Sequence, residues 1–230
     1  MTFVLIPGAG GLAWEWHLLE PELRALGHDV VPIQLPAEDD SAGLTEYADT
    51  VVDAIDGRPD LVLVAQSFGG FTAPLVCARV PVALLVLLNA MIPKPGETFS
   101  AWWSNTGQGP AMREHAASLG LSATDLEDDR VVYYHDLPDE LVEEALQVDS
   151  DQSSTPLDQP WPLERWPDVP TRVLSGRDDR MFPAAFQRRV ARERLGIDAD
   201  EIPGGHMVAM ANPAALAEQL DRYAAEISPG

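Results

Sequence analysis

Short apolar runs recur along the chain, and most lack the strict polar alternation of a half-exposed strand. Thr2–Ile6, Val30–Ile33, Leu61–Ala65, Val82–Leu88 and Thr171–Ser175 are such runs, and Ile197–Ile202 is a weaker one. Strands that are apolar on both faces are expected where helices cover both sides of a parallel sheet. Between the runs, Trp16–Leu26, Leu44–Ile55, Gly70–Arg79, Ala184–Leu195 and Pro213–Ala225 carry apolar residues at helical spacing. This alternation predicts an α/β fold with a doubly wound, mainly parallel sheet of about six strands.

The alternation lapses between Leu88 and Thr171. That stretch holds Trp102, Trp103, Trp161 and Trp166, several prolines and an acidic helix pattern over Pro138–Val148. Residues 93–159 are therefore expected to form a helical cap insertion at the edge of the sheet where the strands end, with 1–92 and 160–230 as the core. The run from Asp149 to Pro162 is rich in Ser, Asp, Gln and Pro, and is expected to be irregular.

A length of 230 residues suits one domain with an insertion. The formal charge of −22, from 37 acidic against 15 basic side chains, excludes nucleic acid as a partner, because phosphate binding needs clustered Lys and Arg. An anionic membrane surface is excluded for the same reason, and the charge is read as a solubility feature. Cys77 is the one cysteine, so no intrachain disulfide can form, and its apolar neighbours make it a core thiol. No segment reaches the roughly 20 apolar residues needed to span a bilayer, and the opening M-T-F-V-L-I-P lacks the basic region of a signal peptide. The expectation is a cytoplasmic protein without a membrane partner. A homodimer is compatible with the sequence, which specifies no oligomeric state.

The candidate chemistry begins at Ser67. The apolar run Leu61–Ala65 leads into Gln66-Ser67-Phe68-Gly69-Gly70 and then into a helix pattern. A strand, a sharp turn and a helix are the setting in which a strained serine exposes its Oγ above a sheet. Residues two positions to either side must be small, because strand and helix approach closely there. Gly69 meets this requirement; Ala65 stands where the pattern has glycine and adds one methyl group.

The first run ends in Pro7-Gly8-Ala9-Gly10-Gly11. As a dinucleotide-binding turn this fits poorly, since Ala13 stands at the third glycine position and no acidic residue closes the second run. It reads better as a loop whose backbone N–H groups face the serine, Ala9 supplying one oxyanion donor and Phe68 the other. Thr171–Ser175 is followed by Gly176-Arg177-Asp178-Asp179, and Ile197–Ile202 by Pro203-Gly204-Gly205-His206. A serine needs an imidazole to take its proton, and the imidazole needs a carboxylate to fix its tautomer. The order serine, aspartate, histidine makes Ser67 the nucleophile and His206 the base. The residues alone leave Asp178 and Asp179 both open as the acid. His17 and His28 read as surface residues, and His135-Asp136 are adjacent residues that point apart. There is no H-E-x-x-H motif, cysteine ligand pair or phosphate-binding loop, so neither metal nor cofactor is expected.

These motifs resemble the α/β-hydrolase fold family, and within it the branch of plant-type methylesterases and hydroxynitrile lyases. The resemblance lies in P-G-A-G-G-L-A-W-E-W, A-Q-S-F-G-G, S-G-R-D-D-R-M-F-P-A-A-F-Q-R and G-G-H-M-V-A-M. In that family the acid lies three residues after the strand-end glycine, which implies Asp179. The family has His-Gly where this chain has Pro7-Gly8, and Gly-His where it has Ala65-Gln66. The lyases carry a lysine after the catalytic histidine and a threonine in the oxyanion loop. Met207 and Gly8 stand there in this chain, as in the esterases. Strand one begins at residue 2, so the two leading strands of larger members are expected to be absent.

The expected reaction is acyl transfer to water, and the cap tryptophans with Phe68, Met91 and Met207 suggest a mainly apolar pocket, hence a small or medium apolar carboxylic ester as the small-molecule partner. The pocket is expected from Gly8, Gly10, Met91, Trp102, Trp103 and Met207. Hydrolysis of a C–C bond, lactone or thioester by the same triad is the alternative within enzymes. The alternative from another class is a non-catalytic ligand-binding protein on the same fold.

Overall fold

Apolar runs with no polar face to keep wet can pair on both edges and be covered on both sides. In the computed structural model, which describes residues 1–148 and 150–227, they do so. Among the described residues one sheet forms from β1 (Thr2–Ile6), β2 (Asp29–Pro32), β3 (Leu61–Ser67), β4 (Leu84–Ala90), β5 (Thr171–Gly176) and β6 (Ala199–Ile202). All pairings are parallel and the order is β2-β1-β3-β4-β5-β6. From β1 the chain crosses outward to β2 and then back past β1 to β3. The ends of β1 and β3 thus flank a switch point, where parallel α/β sheets leave a crevice.

The helices in chain order are α1 (Leu19–Ala25), α2 (Leu44–Ile55), α3 (Gly69–Cys77), α4 (Phe99–Thr106), α5 (Gln108–Ser118), α6 (Asp129–Val132), α7 (Asp139–Gln147), α8 (Thr155–Asp158), α9 (Ala184–Leu195), α10 (Val208–Ala211) and α11 (Pro213–Ile227). Side chains alternate across the strands, so each strand feeds two cores. Phe3, Leu5, Val62, Val64, Val86 and Leu88 pack with Leu19, Leu23, Leu216 and Leu220 of α1 and α11. Val4, Ile6, Leu63, Leu85 and Leu87 pack with Tyr47, Val51, Phe71 and Val190 on the other face. Each such fully buried side chain contributes roughly 1.5–3 kcal/mol relative to exposure.

Two departures from the sequence reading have local causes. The helix expected over Trp16–Leu26 is split into a 3₁₀ turn, Ala13–Trp16, and α1. Pro21 has no N–H to donate to the His17 carbonyl, so one continuous helix would lose a bond at that point. β4 runs two residues past its predicted end, and its register against β3 jumps from Gln66↔Leu88 to Ser67↔Ala90. Asn89 is the extra residue of this bulge, with φ +44°, and the bulge turns its side chain to the carboxyl edge of the sheet.

Between β4 and β5 lie α4 to α8, with no strand among the described residues. Thr98 Oγ1 caps α4 by accepting from the Ala101 N–H at 3.2 Å. Trp102 and Trp161 are fully buried, and their Nε1 atoms donate to the Ile92 and Phe71 carbonyls, both at 3.1 Å. They fasten this segment to the core. Short α8 lies in the stretch expected to be irregular; Asp149, in the same expectation, is outside the described residues. No helix among the described residues is long and apolar enough to cross a membrane.

Candidate active site

Ser67 ends β3 with φ +51°, a conformation that costs a non-glycine residue and persists only where its surroundings enforce it. Three approaches enforce it. The Ser67 carbonyl accepts from the Met91 N–H at 2.9 Å. A Cβ at Gly69 would lie 2.7 Å from the Pro7 carbonyl oxygen. A Cβ at Gly70 would run into the Met91 carbonyl. The loop after β1 crosses the serine closely: a Cβ at Gly8 would stand 2.9 Å from Ser67 Cβ and 3.4 Å from its Oγ. Gly69 and Gly70 are therefore dictated by neighbouring main chain, and Gly8 by the Ser67 side chain itself. Phe68 is buried at the head of α3, and exposed Ala9 lines the same cavity as Ser67. Gly10 N–H is committed to Gln152 Oε1 at 3.0 Å.

Asp179 follows β5 and is 0% exposed. Its Oδ1 accepts from the Met181 and Phe182 N–H groups, both at 2.8 Å. Its Oδ2 faces His206 Nδ1 at 2.9 Å and Gln187 Nε2 at 3.3 Å. A carboxylate only accepts, so Nδ1 of a neutral His206 carries the proton and Nε2 is left as the basic atom. Asp178 is exposed, and its carboxylate takes the Gly204 N–H at 3.4 Å. Of the two aspartates that the residues left open, Asp179 is thus the buried one and the one bonded to His206.

His206 is 2% exposed, with the rings of Phe182 and Tyr133 edge-on at 5.3 and 5.5 Å between centroids. Its carbonyl accepts from Asn89 Nδ2 at 3.0 Å and Gln66 Nε2 at 3.2 Å. Asn89 Oδ1 in turn takes the Gly176 N–H at 2.6 Å and Gln187 Nε2 at 3.1 Å. Buried Asn89 thus ties the ends of β4 and β5 to the histidine loop. Sequence reading missed Asn89 and Gln187. The available signal was a polar residue directly after the apolar run L-V-L-L, at the edge where sites form.

Ser67 and His206 line one cavity of about 170 Å³. Gly8, Ala9, Gly10, Gln66 and Met207 complete its inner wall. Trp14 and Glu15 close one side, and Asp129, Tyr133, Tyr134, Ala145 and Val148 of the segment between β4 and β5 close the other. The lining is more polar than the sequence implied. Burial first, then the charges of Asp129 and Asp179, push the Tyr133 hydroxyl well above the usual phenol range. Three expected pocket residues lie elsewhere. Met91 is buried beneath the serine turn, and Trp102 and Trp103 pack among Phe99, Phe182 and Phe186. These aromatic side chains are consumed in holding the segment to the core.

His17 and His28 are half-buried rather than on the surface; His17 Nδ1 donates to the Trp14 carbonyl at 2.7 Å and His28 Nε2 pairs with Asp221 at 2.9 Å. Cys77 is half-buried, and burial pushes its thiol up to about 12, which leaves it unreactive. Among the described residues no group of three or more His, Cys, Asp or Glu is placed to hold a metal ion.

The sequence profile described as the alpha/beta hydrolase family matches residues 3–219. Norfluorocurarine synthase 1 of Strychnos sp is 32% identical over 103 residues, 40% of this chain and 39% of that protein. Methylesterase 2 of Arabidopsis thaliana is 32% identical over 104 residues, 40% of each. These matches thus span about two fifths of the curated relatives' length. The crystal structure of polyneuridine aldehyde esterase superposes with a TM-score of 0.79 at 20% identity, covering 96% of this chain and 98% of that one, a likeness of fold.

Proposed function

The chain belongs to the alpha/beta hydrolase family, and from that premise we propose that it is a serine esterase acting on a small-molecule carboxylic ester. The buried Asp179–His206 pair at 2.9 Å, in one cavity with a serine held at positive φ, carries this reading. Ser67 Oγ attacks the ester carbonyl while His206 Nε2 takes its proton. Asp179 fixes the ring and stabilises the imidazolium. The Ala9 and Phe68 N–H groups, the latter at the head of α3, receive the charge that develops on the carbonyl oxygen. His206 returns the proton to the leaving alcohol. Water, activated by the same nitrogen, then cleaves the acyl-serine and frees the acid.

We assign residues 93–159 to a cap over the core, since Asp129, Tyr133 and Tyr134 from it line the cavity. A cytoplasmic location belongs to the same proposal, supported by a free cysteine and a fold that takes nothing from an oxidising compartment.

The cavity also sets a charge preference. Glu15 and Asp129 line it and, among the described residues, no Lys or Arg does. A substrate carboxylate there would meet like charge. Even well screened, that repulsion is on the order of 1–2 kcal/mol, about a tenfold factor. p-Nitrophenyl butyrate should therefore have a kcat/KM at least about ten times that of p-nitrophenyl hemisuccinate. Equal rates would contradict the charge preference, and absence of turnover on either ester would contradict the esterase reading.

A further inference from the structure

We propose that Asp136 is a positioning residue for the base, a brace from the cap onto the loop that carries His206. The inference rests on the reading of Ser67 and His206 as nucleophile and base. Asp136 Oδ2 accepts from the Gly205 N–H at 2.6 Å, and Gly205 immediately precedes His206. The neighbouring His135 uses Nε2 to donate to the Asp178 carbonyl at 3.0 Å, and Asp178 immediately precedes Asp179. Two residues earlier, Tyr133 lays its ring edge-on against the imidazole. One short stretch after α6 therefore touches the residue before the acid, the residue before the base, and the base itself.

The two glycines before His206 gain a purpose from this contact. A Cβ at Gly205 would stand 2.8 Å from His135 Nε2 and 2.9 Å from Asp136 Oδ1. Gly204 has φ +131°, which side-chain-bearing residues rarely adopt. Only a bare main chain lets the brace close. The opposite side of the loop is held from the core, where Asn89 Nδ2 donates to both the Gly205 and His206 carbonyls at 3.0 Å. Gly205 is thus gripped through its N–H by the cap and through its carbonyl by β4. A charged acceptor makes the stronger type of hydrogen bond. Among the described residues Asp136 Oδ1 is enclosed without a hydrogen-bond partner, and the bond from Gly205 is the one that the carboxylate accepts. Contrary to the expectation that adjacent His135 and Asp136 point apart, both side chains converge on the loop at Gly205, and each secures a different half of the acid–base pair.

Losing the brace removes no reacting atom but loosens the loop under the imidazole. Misplacement of about 1 Å in such a group costs on the order of 100-fold in rate. The test is the saturation kinetics of a small fluorophosphonate with wild type, Asp136→Ala and Asp136→Asn, alongside melting curves. Asp136→Ala should lower the maximal labelling rate on the order of 10–100-fold while leaving the inhibitor's half-saturation unchanged. Asp136→Asn, which keeps an acceptor oxygen, should recover most of the loss. An unchanged rate in Asp136→Ala, or a loss that Asn does not recover, overturns the brace alone. An unlabelled wild type overturns the esterase reading and the brace with it. Should Asp136→Ala fail to fold, the wild-type Gly205 amide proton supplies the answer: it should be protected from hydrogen exchange by its bond to Asp136, and free exchange at that amide overturns the proposal.

Discussion

Asp179→Asn is expected to lower kcat by about 10⁴, and Asp178→Asn to leave it near wild type. The first figure is the loss seen when the orienting carboxylate of a serine-protease triad is replaced by its amide, and only a similar order is expected here. The geometry gives the reason. The carbonyl oxygen of the new amide could still accept from the Met181 and Phe182 N–H groups, so the turn would hold. The other position would be an NH₂ facing His206 Nδ1, and the ring would turn its proton to Nε2, where Ser67 needs a base. Gln187, whose Nε2 also points at Oδ2, would oppose that NH₂ as a second donor. Asp178 has no such role. It is exposed and accepts one long bond from Gly204, so its loss should cost about 1 kcal/mol of stability or less. Measured kcat and melting temperature of both variants decide it. The reverse pattern would transfer the role to Asp178, and two active variants would put the acid elsewhere.

Arg194→Met is expected to destabilise the fold by about 3–5 kcal/mol, a drop of roughly 10 °C in Tm. Arg194 of α9 and Glu97, just before α4, are both nearly sealed from solvent. Their bond is bidentate, at 2.5 and 2.9 Å, and Arg194 also reaches the Ile92 carbonyl at 2.5 Å. Glu97 takes two further donors, Asn105 Nδ2 and the Lys94 N–H, each at 2.9 Å. One pair thus joins the segment after β4, the start of α4 and α9. Removing the guanidinium strands a buried carboxylate, which costs far more than losing an exposed pair such as Arg24–Glu20, worth about 0.3–0.5 kcal/mol. Burial works to raise the Glu97 pKa, but the bonds from Arg194, Asn105 and Lys94 outweigh it and hold the carboxyl below its ordinary value. A depressed folded-state value means that the pair's stabilisation is present above the unfolded value of about 4.3 and fades as pH falls through the folded one. The Tm gap between wild type and Arg194→Met should therefore be wide at pH 7 and shrink in acid. A Tm within about 2 °C of wild type at pH 7 would show that the pair adds little.

How far the sequence announces this molecule depends on the range of the forces involved. The sheet was legible because its determinants are local: runs without a polar face, separated by helical periods and glycines. The helices Leu44–Ile55 and Ala184–Leu195 have the predicted bounds, since amphipathic pattern and end residues agree there. The residues proposed as nucleophile, acid and base were picked out because each lies at or shortly after a strand end. What escaped depends on partners distant in sequence. Nothing near Asn89 announces the bulge opposite Ser67, nothing near Gly70 announces the Met91 main chain, and Asp136 meets Gly205 across 69 positions. Of the expected pocket residues, Gly8, Gly10 and Met207 line the cavity, and the reading failed for Met91, Trp102 and Trp103 for the same reason. Tryptophans in an insertion can face a cavity or fasten the insertion down, and only the packing shows that Trp102 and Trp103 do the second.

The central claim is that Ser67 is a nucleophile activated by His206, and active-site labelling tests it most directly. The wild-type protein is treated with a fluorophosphonate at neutral pH, digested, and the modified peptide sequenced by mass spectrometry, with Ser67→Ala treated in parallel. The account predicts rapid modification of one serine, Ser67, and none in the variant. Rapid modification that persists in Ser67→Ala, or a wild type that stays unmodified, would contradict it.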